Sequence, residues 1–303
     1  MKAFRKYRPF LLSACLAAQA TVANAQALQV VQVVTKKISK EFVFKEGFEV
    51  NIDGDKAEVY IETWAQPLIQ VQLEITSRHP SKEIAQRDLE YMQYLAQRVK
   101  NKIYLRNFIS VPEGEPETAA RLSVSYRIKV PAECPVYLKT NYGIADIENL
   151  SNRLRINSRF SQIGLQNIQG WMDVNTFFGN ITGEKLDGNV AITARRTDIT
   201  LKELSGRFDI NAQYGLIKLF AAAGLLDLNL RADHSQVFLY APDLARYHYS
   251  LSAQNSRLSL PKGMNFSMNE TTPGIKKLTF RPKSEFYPNI SISVSFGELF
   301  LGR

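Results

Sequence analysis

Aromatic residues return at a fixed interval in the middle of this 303-residue chain. Tyr142, Phe160, Phe178 and Tyr214 stand at multiples of 18 residues, with Arg196 in the remaining place. Rings held in register would stack on successive sugar rings or insert into a partner, which makes these four the candidate binding residues. The competing reading is a row of rings packed on one another at a corner and covered by flanking chain. Two acids, Asp209 and Asp227, share the same interval. On neighbouring strands they would lie roughly 5 Å apart, near the carboxylate spacing of a retaining glycosidase. With Asp173 they also sit where outward acids merely solvate a surface, and this scattered arrangement does not make a calcium site. The three histidines, His79, His234 and His248, have no H-x-x-x-H or H-E-x-x-H spacing, so no zinc site is expected. No G-x-S-x-G, Walker A or G-x-G-x-x-G occurs, and no catalytic residue, metal or cofactor is expected.

The interval belongs to a repeat. Segments starting at Tyr142, Phe160, Phe178, Arg196 and Tyr214 align without gaps. Their fourth position holds Ala145, Ile163, Ile181, Ile199 and Ile217. Their sixth holds Ile147, Leu165, Gly183, Leu201 and Leu219. The thirteenth and fifteenth pair Leu154 with Ile156, Met172 with Val174, Val190 with Ile192, Phe208 with Ile210 and Leu226 with Leu228. Each repeat is therefore two short strands of period two, closed by tight corners at small residues. Stacked about 4.8 Å apart, such coils turn each apolar column into a ladder between two facing sheets. The expected fold is all-β: a two-sheet β-solenoid with about 18 residues per coil, preceded by a β-rich flank carrying one helix. A hexapeptide left-handed helix needs an inward residue every six positions, which the columns do not supply. A calcium-loaded β-roll needs an acidic position that is also missing.

The solenoid is expected over 120–262, with regular coils at 142–231. Val136 and Leu138 extend the columns upstream, in a coil starting at Val124. Val237 and Leu239 arrive two residues late downstream. The flank, 26–119, alternates in VVQVV, EFVF, FEVNI, AEVYIETW and LIQVQLEIT. A helix is expected near 81–99, with Ser81 as N-cap and Ala85, Leu89, Met92, Ala96 and Val99 as its apolar stripe. It would lie across a sheet, cap the first coil or bind a partner. Residues 263–303 alternate again and read as a C-terminal capping segment.

Residues 1–25 have a basic start, Lys2, Arg5, Lys6 and Arg8, a short apolar run and an A-x-A site ending at Ala25. That is a secretory signal peptide, which places the mature chain outside the cytoplasm: periplasm, outer-membrane surface or medium. Leu12-Ser13-Ala14-Cys15 is a rival lipobox, which would tether the chain through a lipidated Cys15. Cleavage after Ala25 removes four bases and no acid, so the formal charge falls from +9 to +5. Bases are interspersed with acids, so no nucleic-acid partner is expected. No 18-residue apolar run follows, so no transmembrane helix is expected either. Cys134 alone remains, and reads as a small buried residue.

The signal peptide, the alternating flank and the G-x-[ILV]-x-[ILV] repeats, as in Gly188-x-Val190-x-Ile192, resemble the bacterial exported "putative adhesin" family of domains of unknown function. The resemblance is clearest over 120–262. It implies a β-solenoid envelope or surface protein without enzymatic activity that binds a glycan or an envelope protein. The alternatives are a polysaccharide-acting enzyme on the same scaffold and a purely structural or sensory envelope component.

Overall fold

Apolar and polar residues alternate through most of the chain, and that period of two folds as strand. The computed structural model describes residues 30–302 apart from 273 and 285, with backbone alone for 269–272; the expected signal segment and Cys15 lie outside the described residues. The N-terminal strands are β1 (Gln32–Val43), β2 (Glu49–Asp55), β3 (Ala57–Trp64) and β4 (Leu68–His79). Helix α1 (Lys82–Tyr91) leads into β5 (Met92–Val99), β6 (Lys102–Ile109) and β7 (Arg121–Pro131). The middle consists of β8 (Val136–Asn141), β9 (Ile144–Glu148), β10 (Arg153–Gln213), β11 (Leu216–Asp233) and β12 (Gln236–Tyr240). The C-terminal part has β13 (His248–Gln254), β14 (Arg257–Ser259), β15 (Ser267–Thr272), β16 (Ile275–Phe280), β17 (Asn289–Ser295) and β18 (Glu298–Gly302). The described residues are thus all-β apart from α1 and a short 3-10 turn, and their strands join one large mixed sheet.

Strand β10 runs for 61 residues, which if straight would reach roughly 200 Å. It turns instead at Phe160, Asn167, Phe178, Lys185, Arg196 and Glu203, all with positive φ. Each pair of turns returns the chain to lie parallel to itself. Leu154 pairs with Val136 and Ile163 with Ala145, and Ile199 pairs with Ile217, all at an offset of 18 in the sequence. Ile163, Ile181, Ile199 and Ile217 are fully buried, each contributing about 2 kcal/mol of apolar burial. Gly183 leaves no hole in its leucine column. A Cβ there would lie 2.8 Å from Leu201 Cδ2 and 2.9 Å from Leu186 Cδ1, so those side chains already fill its place.

Four expectations are corrected. The fifth repeat is two residues longer than the others: Leu201 pairs with Leu219, but Phe208 pairs with Leu228 and Ile210 with Leu230. The extra residues bulge at the small run Ala222-Ala223-Gly224, so Leu226 is exposed while Leu225, Leu228 and Leu230 are buried. Val237 and Leu239 then follow in step, opposite Ile217 and Leu219.

The helix is shorter than 81–99. Ser81 caps it as expected, its Oγ accepting from the Ile84 N–H at 3.2 Å. It ends at Tyr91, because Met92–Val99 pairs antiparallel with Lys102–Ile109 through a turn at Lys100, φ 56°. Ladder hydrogen bonds outweigh an apolar stripe that suits either period.

The coil expected to start at Val124 is split. Strand β3 lies between β7 and β9, and β2 between β6 and β8, all parallel. At the other end β17 and β18 do not cap. They lie between β11–β12 and β13–β14, leaving β16, antiparallel to β13, and β15, antiparallel to β16, to close the edge. Distant segments therefore interleave at both ends, and flank and repeats form one unit, Val31–Arg303.

Candidate functional site

Two faces of the repeats bring chemistry together. The first is the corner of the aromatic interval. Tyr142 stacks on Phe160 with centroids 4.9 Å apart and planes 1° from parallel, and Phe160 stacks on Phe178 at 4.8 Å and 8°. The Arg196 guanidinium follows, 5.1 Å from the Phe178 centroid and 6.0 Å from that of Tyr214. Tyr214 stacks on His234 at 5.0 Å, and His234 on Phe296 at 5.0 Å. All seven residues have positive φ, between 47° and 56°. Stacking and cation–π contacts offset the roughly 1–2 kcal/mol that this backbone region costs a residue with a Cβ. Beneath the rings small residues alternate as Gly143, Ser161, Gly179, Thr197, Gly215, Ser235 and Gly297. The Ser161 hydroxyl accepts from the Gly143 N–H at 3.2 Å and donates to the Arg159 carbonyl at 2.9 Å. A Cβ on Gly179 would overlap the Ser161 carbonyl oxygen, which excludes every other residue there.

The structure therefore brings Tyr142, Phe160, Phe178 and Tyr214 onto one corner, with Arg196 among them. Among the described residues no strand or loop covers the row: Tyr142, Phe160 and Tyr214 are exposed and Phe178 is half-buried. The rings of the first three face one another, so within this run their edges, rather than their faces, meet solvent. Sequence spacing missed His234 and Phe296, because the bulge displaces the first by two residues and the second lies in the turn between β17 and β18.

The second face lies one strand away, on the outward side of the thirteenth and fifteenth columns. The outward residues Arg153, Trp171, Asn189 and Arg207 form one column; Arg155, Asp173, Ala191 and Asp209 form the next. Together with Asp227 and Asn229 they line an open depression of about 630 Å³. Trp171 is 64% exposed, and among the described residues no ring or cation lies against its indole. Ala191 is the smallest outward residue in the depression and lies one row from Asp173 and one row from Asp209. Each of these acids is held from the row behind it. Arg155 Nε lies 3.3 Å from Asp173 Oδ2, and Asn229 Nδ2 donates to Asp209 Oδ2 at 3.0 Å.

This register separates the expected acidic pair. Asp209 stands opposite Asn229, and Asp227 opposite Arg207, because the two-residue bulge shifts the later row. Neither Trp171 nor the guanidiniums of Arg153 and Arg207 emerged from the sequence. A tryptophan in an outward column otherwise made of Arg and Asn was the available signal. Among the described residues no cluster of acids, histidines and cysteines is arranged to hold a metal ion, and no helix is long and apolar enough to cross a membrane. Cys134 is buried, and burial pushes its thiol pKa up to about 12.

No family model matches the chain, and no curated protein matches it. Among solved structures it is similar to a "putative adhesin" from Parabacteroides distasonis (10% identity, 88% of this chain and 97% of that one, TM-score 0.43). It is also similar to one from Bacteroides fragilis (11% identity, 88% and 97%, TM-score 0.40). A "putative lipid binding protein" from Parabacteroides distasonis resembles it to the same degree (9% identity, 88% and 96%, TM-score 0.42). At these scores the likeness is distant.

Proposed function

We propose that this chain is an exported, non-enzymatic β-solenoid of adhesin type that binds a glycan of the cell envelope or its surroundings through its repeat face. The parallel pairing at offsets of 18 and the alternating burial support the solenoid. The observation that carries the binding role is the depression around Trp171, where an open indole is set among guanidiniums, carboxylates and amides. An indole face packs on the C–H face of a sugar, and planar polar groups hold its hydroxyls. Binding is favoured over catalysis because Asp209 and Asp227 are out of line and each faces a different neighbour.

Glycan-array and calorimetric measurements on the mature chain test this. Retention of an oligosaccharide, lost in Trp171→Ala, is the expected result. Release of reducing ends from any polysaccharide, abolished by Asp209→Asn, would overturn the non-enzymatic part. Export is tested separately: mass spectrometry of the mature protein is expected to find Gln26 first, and a lipid-modified Cys15 at the N-terminus would replace secretion with tethering.

A further inference from the structure

We infer that the depression seats one neutral, hydroxyl-rich sugar ring over Ala191, between Trp171 and Asp173 on one side and Arg207 and Asp209 on the other. This rests on the glycan-binding reading above. Three features of the site carry the assignment.

The first is shape. Rows of stacked strands lie about 4.8 Å apart, so the rows bearing Asp173 and Asp209 are separated by roughly 10 Å with the Ala191 row between them. Ala191 is exposed, and its side chain ends at Cβ, so the space above it is open where its neighbours in the same column carry carboxylates. A gap two strand spacings wide admits one ring with its substituents.

The second is order. The two carboxylates at the rim are already oriented, Asp173 by Arg155 and Asp209 by Asn229. Ordering polar groups in advance is what lets a small site bind without a large entropic cost.

The third is the match of donors to acceptors. At the rim two carboxylates accept, while the Arg207 guanidinium and the Asn189 amide donate. A hydroxyl both donates and accepts, so adjacent hydroxyls of one ring satisfy both kinds of group. The arginines and aspartates that line the depression are equal in number, so it offers no net attraction to offset the desolvation of an acidic sugar's carboxylate. The indole of Trp171 then covers the ring's apolar face.

The test uses the mature chain and immobilised oligosaccharides of two kinds, neutral (gluco-, galacto- and manno-oligosaccharides) and acidic (oligogalacturonate and alginate fragments). Ala191→Arg fills the seat from an exposed strand position, so its melting temperature should match that of the parent, and Asn189→Ala serves as a second variant. The expected result is retention of a neutral oligosaccharide that persists in about 0.5 M salt and falls at least roughly tenfold in Ala191→Arg, with a smaller fall in Asn189→Ala. Retention confined to acidic oligosaccharides and lost in salt would overturn the ligand class while leaving glycan binding intact. Neutral binding that survives Ala191→Arg but fails in Trp171→Ala would overturn the seat. Failure of the parent chain to retain either kind would overturn the glycan reading itself.

Discussion

Arg155 and Asp173 stand 18 positions apart in the chain and 3.3 Å apart in space. The repeat length makes the contact: one circuit of the chain returns Asp173 beside Arg155, one strand spacing along the stack. The same circuit brings Phe160 onto Tyr142, Ser158 onto Thr176 at 3.2 Å, and Asn167 onto Asn149 at 2.7 Å. Side chains of one column thus meet like neighbours on a ladder, and a substitution at one rung acts on the rungs beside it.

Ile181 is completely buried in the fourth column. Ile181→Asp places a carboxylate there with no partner, a cost of several kcal/mol. The variant is expected to be insoluble or to lose its β circular dichroism. A soluble Ile181→Asp protein with an unchanged melting temperature would refute the register.

Gly183→Val tests the filled leucine column. Valine favours strands, yet its Cβ would stand under 3 Å from Leu201 and Leu186 side-chain carbons. Overpacking of this kind costs about 1–3 kcal/mol, so thermal unfolding should move to lower temperature despite the better strand propensity.

Phe160 holds the centre of the first three stacked rings. Phe160→Ala removes both stacks while keeping a left-handed residue that has a Cβ, and should destabilise by about 1–3 kcal/mol. Glycan binding at the Trp171 face is expected to be unchanged, because that face is built from other columns. Chemical unfolding and calorimetric titration of the same sample would check both halves.

Asp88 is fully buried on the inner face of α1. Burial by itself would raise its pKa. The N–H groups of Ala120 and Ala119, at 2.6 and 2.7 Å, and the Arg87 guanidinium outweigh that and hold the pKa below the usual carboxylate value. A carboxyl whose pKa is depressed by folding contributes stability that is present above its unfolded value of about 3.9 and is lost as pH falls through the lower folded value. Unfolding measured from pH 6 downward should therefore show an acid-side loss that is absent from Asp88→Asn. Asp88→Ala, which leaves two N–H groups and a guanidinium without their acceptor, should cost about 3 kcal/mol at neutral pH.

Cys134 offers a check on packing. Its thiol is buried and its pKa raised, so it should resist alkylation in the native protein at pH 8 and react at once in denaturant. Rapid native labelling would contradict the interior placed around β8.

Period-two alternation and the 18-residue columns determined, from sequence alone, that the repeats are strand and which of their residues face inward, up to the bulge that turns Leu226 outward. Side-chain alternation is a local property of the extended backbone, and a repeat of identical length needs no further information to align. The corner ladder was legible for the same reason as far as Tyr214. The chain order did not determine what lies beside what at the ends. Strands β2–β3 and β17–β18 enter between strands that are distant from them in sequence, because an open sheet edge binds whichever strand matches it, and sequence distance carries little cost once loops are long. Tertiary structure likewise ended the helix at Tyr91, where pairing with β6 prevailed over an ambiguous stripe. It also shifted Asp227 out of line with Asp209 through a two-residue bulge. The Trp171 depression belongs to tertiary structure in the same sense: its residues come from five successive rows, and only stacking puts a small Ala191 between two held carboxylates.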